Sequence, residues 1–450
     1  MPTYLPRAAA AFLTAWRTKS TRKPLLLRGA RQVGKSTLVR HFARSFARSV
    51  ELNLERRDDR LLFDGEPSAE TLLARLALRS GAGKLGPDTL LFIDEIQESP
   101  AAIALLRFLH EDFPEVPVIA AGSLLEFALG AVRSFPVGRV EFYTLRPLSF
   151  SEFLTWTGRE AHAELLATVP PPDYAHEELL AAFHEYAIVG GMPEVVAARA
   201  RGVGIAELAD LYEAIWTAYR GDAEKYATND TQRQALRHLL ATAALADDRV
   251  SFANFGGSTL RSDVVGPAFR ALELAGLLQL VYPSSALALP VTADVRKRPR
   301  IQFLDTGLLN HARGLQADLL GVDDLTAVYR GRIAQHVVSQ EIVALHHRPS
   351  WRLHFWVREK GTANAEVDLL LPDEHRVYPL EVKAGPQGRL RSLHQFVERS
   401  PHDIGLRALR NRYSAERVTT PGGYAYTLVN IPYYAVSQWR AYAALAASGG

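Results

Sequence analysis

The sequence predicts an α/β protein of several domains, and three observations carry that expectation. Over the first third, short aliphatic runs (PLLLRG, SVELNL, TLLFIDE, VPVIAAGS, RVEFYTL) alternate with helical patterns, the rhythm of a parallel sheet covered by helices. After residue 301 a second alternation follows: a helix (GRIAQHVVSQEIVALHH), strands (LHFWVRE, AEVDLLL, VYPLEVK) and a helix (RLRSLHQFVERS). The length of 450 residues exceeds one ordinary domain and suggests about three, each able to bury its own core.

Residues 1–156 hold the first alternation, and residues 157–227 turn all-helical, broken by VGGMPEVV at 189–196, a composition that fits a helical lid. Residues 228–295 read as a short helix, a glycine turn, a second helix and an apolar strand pair, the order of a winged helix. Such a module binds DNA or serves only as a packing unit, and no base-reading side chain decides between them. VRKRPR at 295–300 gathers Arg296, Lys297, Arg298 and Arg300, either a solvated loop or a phosphate contact. Residues 296–450 make the last unit.

Composition narrows the chemistry. Hydrophobic content of 48% with 22% charged residues fits a soluble globular chain. The net charge of +3 is too small to imply a polyanionic partner unless it clusters. There is no cysteine, which excludes disulfides, thiolate catalysis and cysteine zinc sites and agrees with a cytoplasmic protein. The alanine-rich start is interrupted by Arg7 and Arg17 and lacks a clear cleavage site, so an amphipathic helix is expected there rather than a leader. No apolar run is long enough to span a membrane.

GARQVGKS, residues 29–36, matches G-x-x-x-x-G-K-[ST] directly after the apolar run Leu25–Leu27 and before a helical pattern. Gly29 and Gly34 permit the turns and close approach that let backbone N–H groups wrap phosphates. Lys35 supplies a point charge to the β and γ phosphates, Ser36 offers its hydroxyl to Mg²⁺, and Thr37 follows on the same turn. In LLFIDEIQ an apolar strand carries Asp94 and Glu95 at its carboxyl end, where ligands bind in open α/β sheets. Asp94 suits the magnesium's water shell and Glu95 the polarising of an attacking water. Ser123, ending VPVIAAGS, is either a γ-phosphate sensor or a plain helix N-cap.

Together with AAGSLLEF, VGRVEFYTLRPLSFSEFL and YAIVGGMPEVV, these motifs resemble the bacterial and archaeal AAA-type (AAA+) ATPases that carry a nuclease-like C-terminal half. The resemblance covers nearly the whole chain. It implies ATP and Mg²⁺ as ligands and a homo-oligomeric ring, in many relatives a hexamer. It also implies that Arg139, just before a strand, is an arginine finger reaching the neighbouring subunit's nucleotide, with Arg133 as second candidate. By the same similarity VGGMP lies in the lid near the nucleotide base.

Asp368, then Glu381-Val382-Lys383 on the next apolar run, resemble the core of the PD-(D/E)xK nucleases. Strand alternation puts Glu381 and Lys383 on one face, so the carboxylate can share a metal with Asp368 while the ammonium orients a water. One position departs from the pattern. Counting from Gly331, the helical glutamate is replaced by Gln335, whose neutral amide removes a charge from the metal site. Glu341 lies about 240° further round the helix, and Glu366, on the strand face of Asp368, is the candidate stand-in.

The expected function is therefore an ATP-driven ring that acts on DNA, branched or forked, with the C-terminal domain gripping more than cutting. A nucleotide-controlled regulatory switch and an ATP-gated nuclease are the rivals.

Overall fold

In the computed structural model the described residues are 6–81, 83–123, 136, 138–225, 227, 229–246, 249–315, 332–358, 365–383 and 390–448. The chain divides into two compact units. One comprises Met1–Arg146 with two returning pieces, Leu274–Leu277 and His346–Trp351; the other comprises Pro147–Glu273, Leu278–Leu345 and Arg352–Gly450. Where the sequence reading draws four segments, compactness draws two units. Among the described residues no helix is long and apolar enough to cross a membrane.

In the first unit all five expected strands form: β1 (Leu25–Arg28), β2 (Arg48–Asn53), β3 (Thr89–Asp94), β4 (Val118–Gly122) and β5 (Glu141–Thr144). They make a wholly parallel sheet in the order β2-β3-β4-β1-β5. β1, β3 and β4 are buried at every residue, because crossover helices cover a parallel sheet on both faces and leave no solvent side to alternate with. Its α-helices among the described residues are α1 (Ala9–Thr18), α2 (Lys35–Ala43), α3 (Arg57–Arg60), α4 (Ala69–Ser80) and α5 (Pro100–Asp112). Local chemistry sets the ends of the longer ones. The Ser68 hydroxyl accepts from Thr71 N–H (3.1 Å) to start α4, and Gly81, in the left-handed region, ends it. Ser99 caps Ala102 N–H (3.2 Å) ahead of Pro100 at the first turn of α5. Leu72 and Leu76 of α4 then pack with Ile103 and Leu106 of α5 and with Leu91 and Ile93 of β3.

β5 is an edge strand by its pairing, yet the returning piece meets it. Thr144 N–H donates to His347 O (2.8 Å), and the His347 ring stacks on Tyr143 at 5.1 Å and 8° while Phe12 closes on Tyr143 at 4.6 Å.

The second unit holds an eight-stranded mixed sheet in the order β12-β13-β11-β10-β9-β8-β6-β7. Its strands are β6 (Leu278–Ser284), β7 (Arg300–Phe303), β8 (His354–Val357), β9 (Glu366–Pro372), β10 (Val377–Val382), β11 (Ile404–Leu409), β12 (Ser414–Thr419) and β13 (Ala425–Pro432). Of the strand pair expected as a wing within residues 228–295 the described residues hold one strand, β6, and it pairs with β7, which lies past residue 295. The β6–β7 pair is not free-standing, because β6 also pairs in parallel with β8 and so joins the pair to the end of the larger sheet. β11, β12, β13 and the helix Trp439–Ser448 lie beyond the elements read from the sequence.

The first four residues of VGGMP, Val189 to Met192, are buried in this unit. Gly191 N–H donates to Asp305 Oδ2 (2.6 Å), and a Cβ at Gly191 would stand 2.2 Å from Leu148 O. Beside it, the Tyr186 hydroxyl lies 2.8 Å from Leu148 O and 2.9 Å from Glu341 Oε1, which also accepts from Phe150 N–H (2.9 Å). Glu341 is thus engaged in the core. Burial pushes Glu341 up to about 7 and Asp305 up to about 6.

This gives a pH dependence. In the folded chain Glu341 keeps its proton up to about 7, whereas the unfolded chain releases it near the ordinary glutamate value, so folding takes up a proton between the two. Its contribution is full below the lower value and lost as pH rises through the upper one. Glu341→Gln keeps the acceptor oxygen without the charge, and should gain stability relative to wild type between about pH 5 and pH 8, on the order of 3 kcal/mol. Unfolding curves of both proteins at the two pH values measure this; a constant difference would assign the titration to another group.

Candidate nucleotide site and nuclease-like site

The loop between β1 and α2 builds the first site. Gly29, at φ 147°, leaves no room for a side chain, since a Cβ would lie 2.4 Å from Leu145 O. Gly34, at φ 90°, turns the chain into α2. Buried Arg7 holds the loop from behind, donating to Val33 O (3.0 Å) and Arg146 O (2.6 Å). The Lys35 ammonium folds over the loop onto Gly29 O (3.0 Å) and Ala30 O (2.9 Å). Burial lowers it to about 8, against the pull of Glu95 and Asp94.

β3 delivers the acids. Asp94 is buried and accepts from the Ser36 hydroxyl, and burial raises its pKa more than that bond lowers it. Glu95 sits in the left-handed region at φ 52°, costly for a residue with a side chain, and is steadied by Gln97 Nε2 donating to Oε2 (2.6 Å). The buried Ser123 hydroxyl, just past β4, has no hydrogen-bond partner among the described residues. All strands being parallel, the residues after β1, β3 and β4 share the carboxyl edge of one sheet, so Lys35, Ser36, Thr37, Asp94, Glu95 and Ser123 converge there. The donor set fits magnesium: a hydroxyl and a carboxylate, both hard oxygens, already touch.

Arg139 lies elsewhere. It precedes β5, hence at the amino edge of the sheet, and its Nε donates to Glu111 Oε1 at 2.7 Å with the side chain half exposed. Arg133 lies outside the described residues. The sequence reading missed Arg7, used there only against a leader, and the Ala275-Gly276 turn, where a Cβ on Gly276 would stand 3.5 Å from Ala30 of the loop.

In the second unit β9 and β10 run antiparallel and bring Asp368 beside Glu381-Val382-Lys383. Asp368 Oδ2 accepts from Val382 N–H (2.8 Å), and Lys383 Nζ bonds Glu381 Oε1. Burial, and then the Asp368 charge, push Glu381 up. Glu366 is not available as a stand-in metal ligand: Arg249 holds one of its oxygens and Arg300 the other, both guanidiniums lying over the Phe355 ring. Arg300 also approaches Asp368 Oδ1 at 3.7 Å. A divalent ion would have to displace Arg300, and would then find Asp368, Glu381 and the neutral Gln335. Glu381 Oε2 is buried without a hydrogen-bond partner among the described residues, and a cation there would satisfy it. Among the described residues no three acidic or histidine side chains are grouped to hold a metal. The donor set does not suit a divalent cation.

Residues 21–154 match the model of an AAA domain, AAA_14. Residues 180–319 and 330–434 match two domains of unknown function, DUF8612 and DUF4143. No curated protein matches. Among solved structures, the Walker-type ATPase PABY2304 of Pyrococcus abyssi is similar at 15% identity and a TM-score of 0.46, over 69% of this chain and 96% of that one. The ORC1 protein of Aeropyrum pernix, solved with DNA, is similar at 13% identity and 0.31, over 71% and 94%. The Hsp104–ADP complex of S. cerevisiae follows at 14% and 0.29, over 61% and 39%. With the phosphate loop and paired acids in place, residues 21–154 are an AAA-type ATPase domain.

Proposed function

We propose that this chain hydrolyses Mg²⁺-ATP in a homo-oligomeric ring, a hexamer by its resemblance, and spends the cycle acting on branched or forked DNA. The observation that carries the reading is the convergence of Lys35, Ser36, Asp94, Glu95 and Ser123 on one sheet edge. Ser36 and Asp94 would hold the magnesium, which when bound neutralises charge on the β and γ phosphates. Glu95 orients the attacking water. Ser123, its hydroxyl buried and unpartnered among the described residues, senses the γ-phosphate. Arg139 serves the neighbouring subunit.

The DNA grip is assigned to residues 296–450, with the winged-helix-like stretch 228–295 beside it in sequence. What supports a grip rather than a blade is the arginine pairing of Glu366 and Asp368. ATPase rate measured against single-stranded, duplex, forked and four-way DNA tests the reading: stimulation by branched forms is expected, and a slow rate indifferent to every DNA would replace the motor with a regulatory switch. The protein should leave DNA uncut in Mg²⁺ or Mn²⁺, and Asp368→Ala should leave the stimulation nearly unchanged. Cleavage that vanishes in Asp368→Ala or Lys383→Ala would make this an ATP-gated nuclease.

A further inference from the structure

Gln97 follows Glu95 by two residues, on the single 3₁₀ turn Ile96–Glu98 that leaves β3. The turn is anchored by Ile96, buried in the core of the first unit with Leu91 and Ile93, and is closed by Glu98 N–H on Glu95 O (3.1 Å). The Gln97 side chain is held at both ends of its amide. Nε2 donates to Glu95 Oε2 at 2.6 Å. Oε1 is buried against the end of β4, 2.5 Å from where a Cβ on Gly122 would stand. An ionised carboxylate can only accept, so the amide nitrogen has to face Glu95 and the oxygen Gly122.

That seat accounts for the glycine at the end of β4. Gly122 lies in ordinary strand backbone and does not use the left-handed freedom of glycine. What a side chain there would meet first is the Gln97 amide, with Ile96 Cγ2 next at 3.6 Å. Ser123, whose buried hydroxyl is read above as the γ-phosphate sensor, is the following residue. One side chain thus reaches from the strand end that carries the sensor to the carboxylate that orients the water. Glu95 itself stands at φ 52° on a turn, and a short hydrogen bond to its charged group is the strong kind that fixes a side chain in one direction.

We propose that Gln97 is a positioning residue of the hydrolytic step: seated on Gly122, its amide holds the Glu95 carboxylate at a fixed spacing from the end of β4 and so from the γ-phosphate sensor. The proposal rests on the roles given above to Glu95 and Ser123.

The test uses the full chain, with turnover at saturating Mg²⁺-ATP and affinity for a non-hydrolysable ATP analogue measured on the same preparations. Gln97→Glu keeps the shape and the seat but offers Glu95 no donor, so a role in packing alone would survive it. Gly122→Ala leaves Gln97, Glu95 and Ser123 chemically intact, yet its Cβ takes the place of Oε1 and swings the amide away. The displaced atom is the end of a flexible side chain, so folding is little affected. Each variant should lower turnover about tenfold or more, the scale of one hydrogen bond to a charged group, with analogue affinity within about twofold of wild type. In a Gln97→Ala background, Gly122→Ala should cost little further, because nothing is left to displace. Wild-type turnover by either single variant, fully additive losses, or affinity that falls in step with turnover would overturn the proposal. Glu95→Gln in the same assay separates it from the reading beneath it. A stalled Glu95→Gln beside a normal Gln97→Glu removes the positioning role alone, whereas normal turnover by Glu95→Gln removes the water-orienting role and the proposal with it.

Discussion

Lys35→Ala abolishes ATP binding or hydrolysis, whereas Glu95→Gln leaves binding intact and stalls the protein with ATP bound: this pair of results is the largest effect expected. The two residues do different work at one sheet edge. Lys35 is the buried cation of the phosphate loop, and its ammonium already rests on Gly29 O and Ala30 O, at the place where phosphate oxygens would take it up. Alanine there removes the charge. Glu95 is aimed by its left-handed backbone and by Gln97, whose Nε2 donates to its carboxylate. The amide of Glu95→Gln keeps the shape and loses the ability to draw a proton from water, a step worth roughly 10²–10⁴ in rate. Nucleotide binding and phosphate release, measured on the same preparations, separate the two outcomes. Wild-type hydrolysis by Glu95→Gln would show that another group activates the water.

Arg139→Ala should depress turnover by roughly 10³–10⁵, the range of arginine fingers in related chemistry. Its position makes action on its own nucleotide implausible on length alone. Arg139 stands before β5 while the phosphate loop follows β1, and β1 and β5 are parallel neighbours of four residues each, so the strand length, about 13 Å, separates them. A neighbouring subunit has no such constraint. In the isolated chain the guanidinium pairs with Glu111 on the surface, and surface pairs of this kind are weak enough to exchange for a phosphate. Mixing Arg139→Ala with Lys35→Ala subunits should restore part of the activity, because each supplies what the other lacks. A mixture with no more activity than its parts, or a protein that stays monomeric with ATP and DNA, would count against the ring.

The nucleotide site was legible because its information is local. LLLRGARQVGKS and TLLFIDE each hold a strand and the chemistry at its end within twelve residues, and a parallel sheet brings the strand ends together whatever the loops between them do. The carboxylate site was legible only in its contiguous part. Asp368 and Glu381 follow from strand alternation, but nothing in the sequence pairs Arg300 or Arg249 with Glu366, contacts that span 66 and 117 positions. The same holds for Tyr186 with Glu341 and for Gly191 with Asp305, which join helices and loops more than a hundred residues apart. β11 to β13 escaped for another reason. β12 is SAERVT, largely exposed and without the apolar alternation that marks a strand, and it is held in the sheet by β13.

The return of His346–Trp351 to the first unit sets a timetable for synthesis. Thr144 leaves the ribosome about 200 residues before its partner His347, an interval of about 10 to 40 s at ordinary elongation rates. For that time the outer side of β5 has no main-chain partner from this piece, and Tyr143 lacks the ring that later covers it. Unpaired strand edges of this kind template association with other chains. That edge belongs to the strand that follows Arg139, and fragments ending before residue 347 would keep it open permanently.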